Sequence, residues 1–262
     1  MNHRTWAAVV CLALGGCGAG EGTWVVETWG EEYIEQQIPA EVFADGCSVV
    51  YDEFLVSFAS LALLDGNGAA VGDLGPAAVY DLAVAGPNPM GEAAVPADHY
   101  SSVELVIAPA ADAVAGTATD AQVAELVDAG ASVLVAGTMT CGGESATFRW
   151  TFDESTTYAC EPTDLTVPAG GEDGTQITIH GDHLFYDGLE NADAEVRGEA
   201  ILAADGDGDG EITLAELDAV SVPSLGYEVG EYSDVLTLRQ FVSHLSRTIG
   251  HVDGEGECRV DF

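Results

Sequence analysis

Residues 205–216 read Asp-Gly-Asp-Gly-Asp-Gly-Glu-Ile-Thr-Leu-Ala-Glu. Asp205, Asp207 and Asp209 are short carboxylates on alternate residues, and Glu216 adds a fourth further on. A hard divalent cation such as Ca²⁺ takes about six to eight oxygens at about 2.3–2.6 Å and accepts irregular angles. A chain wrapping such an ion needs a residue that reaches positive φ where it turns back, and Gly210 meets that need. Ile212 is apolar, and Leu217 and Val220 follow at helical spacing. The plain alternative is an acidic Gly-Asp turn that binds nothing. Such a turn gives no reason for Ile212, Thr213 and Glu216 to fall in register.

This stretch resembles the calcium loop of an EF-hand, over about twenty residues. The resemblance implies Ca²⁺ as the bound ion, with Asp205, Asp207 and Asp209 as side-chain ligands. It further implies a backbone carbonyl from Glu211, a hydroxyl or bridging water from Thr213, and two oxygens from Glu216 on the exiting helix. EF-hands pair through the residues at position eight. A faint repeat, Ile212-Thr-Leu-Ala-Glu-Leu217 against Leu236-Thr-Leu-Arg-Gln-Phe241, suggests residues 229–240 as a vestigial partner loop. Two unrelated amphipathic helix starts would look the same.

A second cluster of ligand-type residues is His180-Gly-Asp182-His183, with Asp187 following. Imidazole with carboxylate suits Zn, Cu or Ni. The alternative is that these histidines only cap and orient a helix. His244 and His251 are further imidazoles that folding could add. Carboxylate pairs suited to hydrolysis arise by chance in so acidic a chain, and no nucleotide loop, G-x-S-x-G or H-E-x-x-H is present, so an enzyme is not expected.

The chain carries 45 acidic and 6 basic residues, a formal net charge of −39. Such a surface repels nucleic acid and anionic head groups. It fits attraction of calcium and counter-ions, and equally a salty habitat. Residues 1–16 read as an export signal, with an apolar run too short to span a bilayer. Leu14-Gly-Gly-Cys17 resembles the lipobox of bacterial lipoproteins, which implies lipidation at Cys17. With Gly18 after it, the resemblance points to the outer membrane of a Gram-negative cell envelope, the lipid being the sole membrane contact. Residues 17–23 read as a tether.

Four cysteines remain, Cys47, Cys141, Cys160 and Cys258, and an oxidising compartment favours two disulfides. Strands over 146–152 and 156–161 read as a hairpin in which Cys160 faces Arg149. That register would place Cys141 roughly 26 Å from Cys160, against the about 7 Å a disulfide allows between Cα atoms. Of the two remaining pairings, Cys47–Cys141 with Cys160–Cys258 is preferred.

The elements that must position these groups are mainly strands: 24–29, 48–64 as one strand or two, 78–84 closed by Pro87 and Pro89, 101–108, 132–139 and 176–180, besides the hairpin. A helix is expected over 120–129, capped by Thr119 or Asp120 and stopped at Gly130. A helical turn is expected over 31–37, and helices over 184–189, 193–204, 214–221 and 236–248. The fold class is α+β: a β-sandwich-like domain over 24–180, then a helical segment over 181–262 with one EF-hand. The expected function is an exported, lipid-anchored calcium-binding protein in which calcium is structural. Alternatives are transition-metal binding through His180 and His183, and an envelope adhesion module with a protein partner.

Overall fold

The computed structural model describes residues 20–162, 164–254 and 258–261. The export signal and Cys17 lie outside the described residues. In chain order the strands are β1 (Glu21–Trp29), β2 (Ser48–Leu64), β3 (Ala70–Asp73), β4 (Ala78–Asp81), β5 (Asn88–Pro96), β6 (Asp98–His99), β7 (Ser102–Ile107) and β8 (Val114–Ala115). They continue as β9 (Val133–Cys141), β10 (Glu144–Phe152), β11 (Thr156–Cys160), β12 (Thr166–Val167), β13 (Glu172–Ile179), β14 (Glu211–Ile212), β15 (Gly250–Val252) and β16 (Cys258–Asp261). The helices are α1 (Glu31–Glu35), α2 (Asp120–Ala129), α3 (Glu199–Leu202), α4 (Leu214–Ala219), α5 (Val222–Leu225) and α6 (Leu238–Leu245), with a 3-10 turn at Asp182–Phe185.

The protein is mostly β and sandwich-like. A four-stranded sheet runs β15-β13-β1-β5, and a ten-stranded sheet has the main order β14-β10-β9-β2-β7-β11-β16. One apolar core lies between them. Trp24, Val26, Ile177, Ile179 and Val252 come from the small sheet, and Phe54, Leu105, Trp150 and Tyr158 from the large one. Alternation dictates this: in β1 the buried residues fall at every second position. Helix α2 seals the other face of the large sheet through Leu126, against Leu55, Val79 and Leu134.

Several expectations change. Strands β10 and β11 do not form a hairpin: β10 lies between β9 and β14, and β11 between β7 and β16. Each already has both edges taken, so Cys160 pairs with Val103 and Cys258, not with Arg149. The preferred disulfides nevertheless form, Cys47–Cys141 and Cys160–Cys258. Strand β5 runs through Pro89, which the edge of a sheet tolerates because one side needs no N–H donor. The helices expected over 184–189 and 193–204 shrink to the 3-10 turn and α3. Between them the backbone is taken by bridges, Phe43 to Val196, Tyr186 to Val196 and Gly188 to Glu228. The C-terminal residues are not a run of long helices. β14, β15 and β16 add themselves to the two sheets, and Leu217, Phe241 and Leu245 join the common core.

Candidate metal centre

The segment His180-Gly-Asp-His183 leaves the end of β13 and turns at once into the 3-10 turn. Gly181 makes that possible: a Cβ there would lie 2.7 Å from Ile34 Cγ1 and 2.8 Å from Tyr51 Cε2. The Tyr51 hydroxyl donates to the Gly181 carbonyl at 2.7 Å and pins the turn. Burial, then the Asp182 carboxylate, raises that hydroxyl well above the usual phenol pKa, so it stays a donor. Asp182, His183, Leu184 and Phe185 are all buried.

His251 arrives on the neighbouring strand. In the β13–β15 ladder it pairs with Thr178, and the His180 N–H donates to the Ile249 carbonyl at 2.9 Å. Side chains two apart on a strand share a face, so Thr178, His180 and His251 meet on the face of the small sheet opposite the core. Ring centroids are 5.1 Å apart for His180–His183, 4.6 Å for His180–His251 and 5.1 Å for His183–His251. One ligand atom each from His180, Asp182 and His183 lies within 4.8 Å of the others. Tyr186 Oη donates to Asp182 Oδ2 at 3.3 Å.

The tautomers follow from the partners. His183 Nδ1 sits 2.8 Å from the Thr248 carbonyl oxygen. A carbonyl only accepts, so Nδ1 carries the proton and Nε2 presents a lone pair. Burial first, then the neighbouring His180 and His251, push the His183 pKa down to about 3. The ring is therefore neutral, the form that ligates metal. His180 Nε2 faces the Gly254 carbonyl at 3.4 Å, and its Nδ1 faces Glu31 Oε2 at 3.7 Å.

The other suggested members lie elsewhere. His244 packs on Tyr232 at 4.7 Å. Asp187 accepts from Arg197 Nε at 2.7 Å and lines a separate cavity of about 600 Å³ with Asp45 and Tyr227. His251, about seventy residues beyond His180, joins through the β13–β15 pairing, and only its residue type pointed to it.

In the acidic loop, ligand oxygens of Asp205, Asp207 and Asp209 come within 4.8 Å of one another. Asp205 accepts from the Gly208 and Gly210 N–H groups at 2.8 and 3.0 Å, and Gly210 adopts a φ of 84°. Thr213 and Glu216 form a reciprocal cap on α4: Glu216 accepts from the Thr213 N–H at 2.9 Å, and Thr213 Oγ1 from the Glu216 N–H at 3.2 Å. Capping thus accounts for that register without an ion. Glu216 also accepts from the Gly206 N–H at 3.1 Å, which folds it back over the start of the loop. These hydrogen bonds, led by Thr213, hold its carboxyl below the usual range.

The β-bridge at position eight is made with the large sheet. Ile212 pairs in parallel with Phe148, and the Ile212 carbonyl accepts from Trp150 Nε1 at 2.8 Å. Residues 229–240 do not supply it. Their Leu236 is exposed, and its carbonyl accepts from the Val222 N–H. The repeat instead reflects two helix caps, Thr213 with Glu216 and Thr237 with Gln240.

No protein-family description matches the chain, and no curated protein does. Among solved structures, MbnP from Methylosinus trichosporium is 9% identical, covering 70% of this chain and 88% of that one with a TM-score of 0.38. A likeness that slight carries no argument about the site.

Proposed function

We propose that the chain is an exported metal-binding protein whose principal site is the His180–His183–His251 cluster, with Asp182 beside it, holding a transition ion of the zinc or copper class. The observation that carries this reading is the convergence of three imidazoles from two segments, the turn after β13 and strand β15, with ring centroids 4.6–5.1 Å apart. Three imidazoles in mutual ring contact, with a carboxylate beside them, gather the nitrogen and oxygen donors that such ions take. Zinc and copper titration of wild type and of His180→Ala with His183→Ala tests it. Tight equimolar binding is expected in wild type and not in the variant, and equal binding in both rejects the reading.

A second reading, from the acidic loop, is Ca²⁺ bound by Asp205, Asp207, Asp209, Glu211, Thr213 and Glu216 in a structural role. It is favoured by the clustering of the three aspartate oxygens at a loop stitched to β10. Both readings describe a binding protein rather than an enzyme. The two disulfides favour a compartment outside the cytoplasm. Lipidation at Cys17 and an outer-membrane location complete the proposal. No helix among the described residues is long and apolar enough to cross a membrane. Labelling cells with a radioactive or alkyne fatty acid tests the anchor, with Cys17→Ser expected to abolish incorporation.

A further inference from the structure

Beside the histidine cluster one residue departs from ordinary backbone geometry. Glu31 has a φ of 53°, a left-handed conformation that a residue with a Cβ adopts only at a cost. The path that forces it is set one residue earlier. A Cβ on Gly30 would lie 2.5 Å from the Leu82 carbonyl oxygen and 3.1 Å from Ile34 Cβ. The chain leaves β1 pressed against Leu82 and turns sharply at Glu31 into α1. A helix N-terminus favours acidic residues, but that explains Glu32 equally, and it asks for no left-handed residue. A glycine would take this turn without strain; the sequence places a carboxylate there.

That carboxylate reaches the cluster. Glu31 Oε2 lies 3.7 Å from His180 Nδ1. The two atoms form an ion pair when the imidazole carries a proton there, and a metal ion taking the place of that proton would meet both. Two ligands bonded to one tetrahedral ion at about 2.0–2.2 Å stand roughly 3.4 Å apart, close to the separation here. The acid also lines an open cavity of about 330 Å³ with Trp29, Glu32 and Tyr33.

We propose that Glu31 is a further ligand of the ion held by His180, His183 and His251, and that its carboxylate makes the site select a divalent first-row ion over cuprous copper. The inference rests on the reading of the histidine cluster as a transition-metal site. A carboxylate is a hard anionic donor suited to divalent ions, whereas the soft monovalent ion prefers sulfur.

The test is competition with chromophoric chelators for Zn²⁺, Cu²⁺ and Cu⁺, on wild type, Glu31→Gln, Glu31→Gly and Glu32→Gln. Zn²⁺ and Cu²⁺ affinity falls by about tenfold or more in both Glu31 variants, while Cu⁺ affinity and the Glu32→Gln variant stay at wild-type values. Glu31→Gly relieves the left-handed strain, so its metal-free melting temperature does not drop, and weaker binding there is not misfolding. The visible spectrum of Co²⁺ in the site changes on losing the oxygen ligand. Wild-type Zn²⁺ affinity and Co²⁺ spectrum in both Glu31 variants overturn the ligand assignment, and an equal loss of Cu⁺ overturns the selectivity. If wild type binds none of these ions, the histidine reading itself falls and this inference with it.

Discussion

Nδ1 of His183 donates a 2.8 Å hydrogen bond to the backbone carbonyl of Thr248, in the turn that precedes β15. The bond links the 3-10 turn to the segment that delivers His251, so one contact orients the His183 ring and joins the two segments of the cluster. The Thr248 hydroxyl is a poorer partner at 3.3 Å. Thr248→Val should therefore leave zinc affinity within a few-fold of wild type. His183→Ala should lower it by more than the about 10–100-fold typical of losing an outer partner. Chelator competition on the two variants measures both, and a larger loss in Thr248→Val contradicts this account of the orientation.

Ca²⁺ should raise the melting temperature of the protein, and Asp205→Ala with Glu216→Ala should remove the effect. The loop carboxylates repel one another until a cation fills the site, and only the folded loop gathers them. The gain follows RT ln(1 + [Ca]/Kd), about 1.4 kcal/mol when calcium is ten times Kd. Differential scanning calorimetry with calcium and with chelator measures it. An unchanged transition removes the structural calcium reading.

Trp150 ties that loop to the core, through its indole N–H on the Ile212 carbonyl and its stacking on Phe148 at 4.5 Å. Trp150→Phe keeps most of the apolar volume and leaves the buried carbonyl without this donor. The expected cost is about 1–3 kcal/mol, read by denaturant unfolding. The calcium-dependent part of stability should shrink as well, because the loop is then less firmly held in the folded arrangement.

Local chemistry made parts of this architecture readable. Helix α2 begins as expected because Thr119 and Gln122 cap each other, and ends as expected because Gly130 takes the left-handed C-cap conformation. The acidic loop is likewise written in one continuous stretch. The histidine site is not. His180 and His183 stand out as a pair, but His251 depends on the β13–β15 register and Glu31 on the end of a strand paired in parallel with β13. Those pairings are set by which apolar faces meet in the core, and the residues flanking His251 and Glu31 do not encode them. The cysteines carry a further lesson. The preferred pairing forms, yet the hairpin used to argue for it does not, because β10 and β11 each find other neighbours on both edges.

His244 should titrate below the ordinary imidazole value of about 6.5. It sits in the last turn of α6, where the helix end favours the charged ring. Burial opposes this and is the largest influence, followed by the Arg247 guanidinium, while Glu154 and Asp234 pull the other way. The folded value is depressed, so the contribution to stability is present above the unfolded value and is lost as pH falls below it. Histidine ring NMR on the protein gives the titration. His244→Gln should make stability less sensitive to acid in that window, and a midpoint above 6.5 contradicts the balance of forces given.

The Cys160–Cys258 disulfide should govern whether β16 stays on the sheet. The two cysteines are direct partners in the β11–β16 ladder, and the bond closes a sequence separation of 98 residues. A cross-link of that span removes much of the freedom of the unfolded chain, about 2–4 kcal/mol in typical cases. β16 is a short edge strand, and beyond the disulfide its described anchors include an exposed Arg259–Glu161 ion pair, which contributes little. Cys160→Ser with Cys258→Ser should therefore speed amide exchange first in β16, then in the outer edge of β11. Cys47–Cys141 joins the start of β2 to the end of β9, strands already zipped by a long ladder. Its removal should lower the melting temperature and leave local exchange in β2 comparatively slow. Hydrogen exchange by mass spectrometry on the two double variants separates these cases. Equal protection of β16 in both would mean that the ladder alone holds the strand.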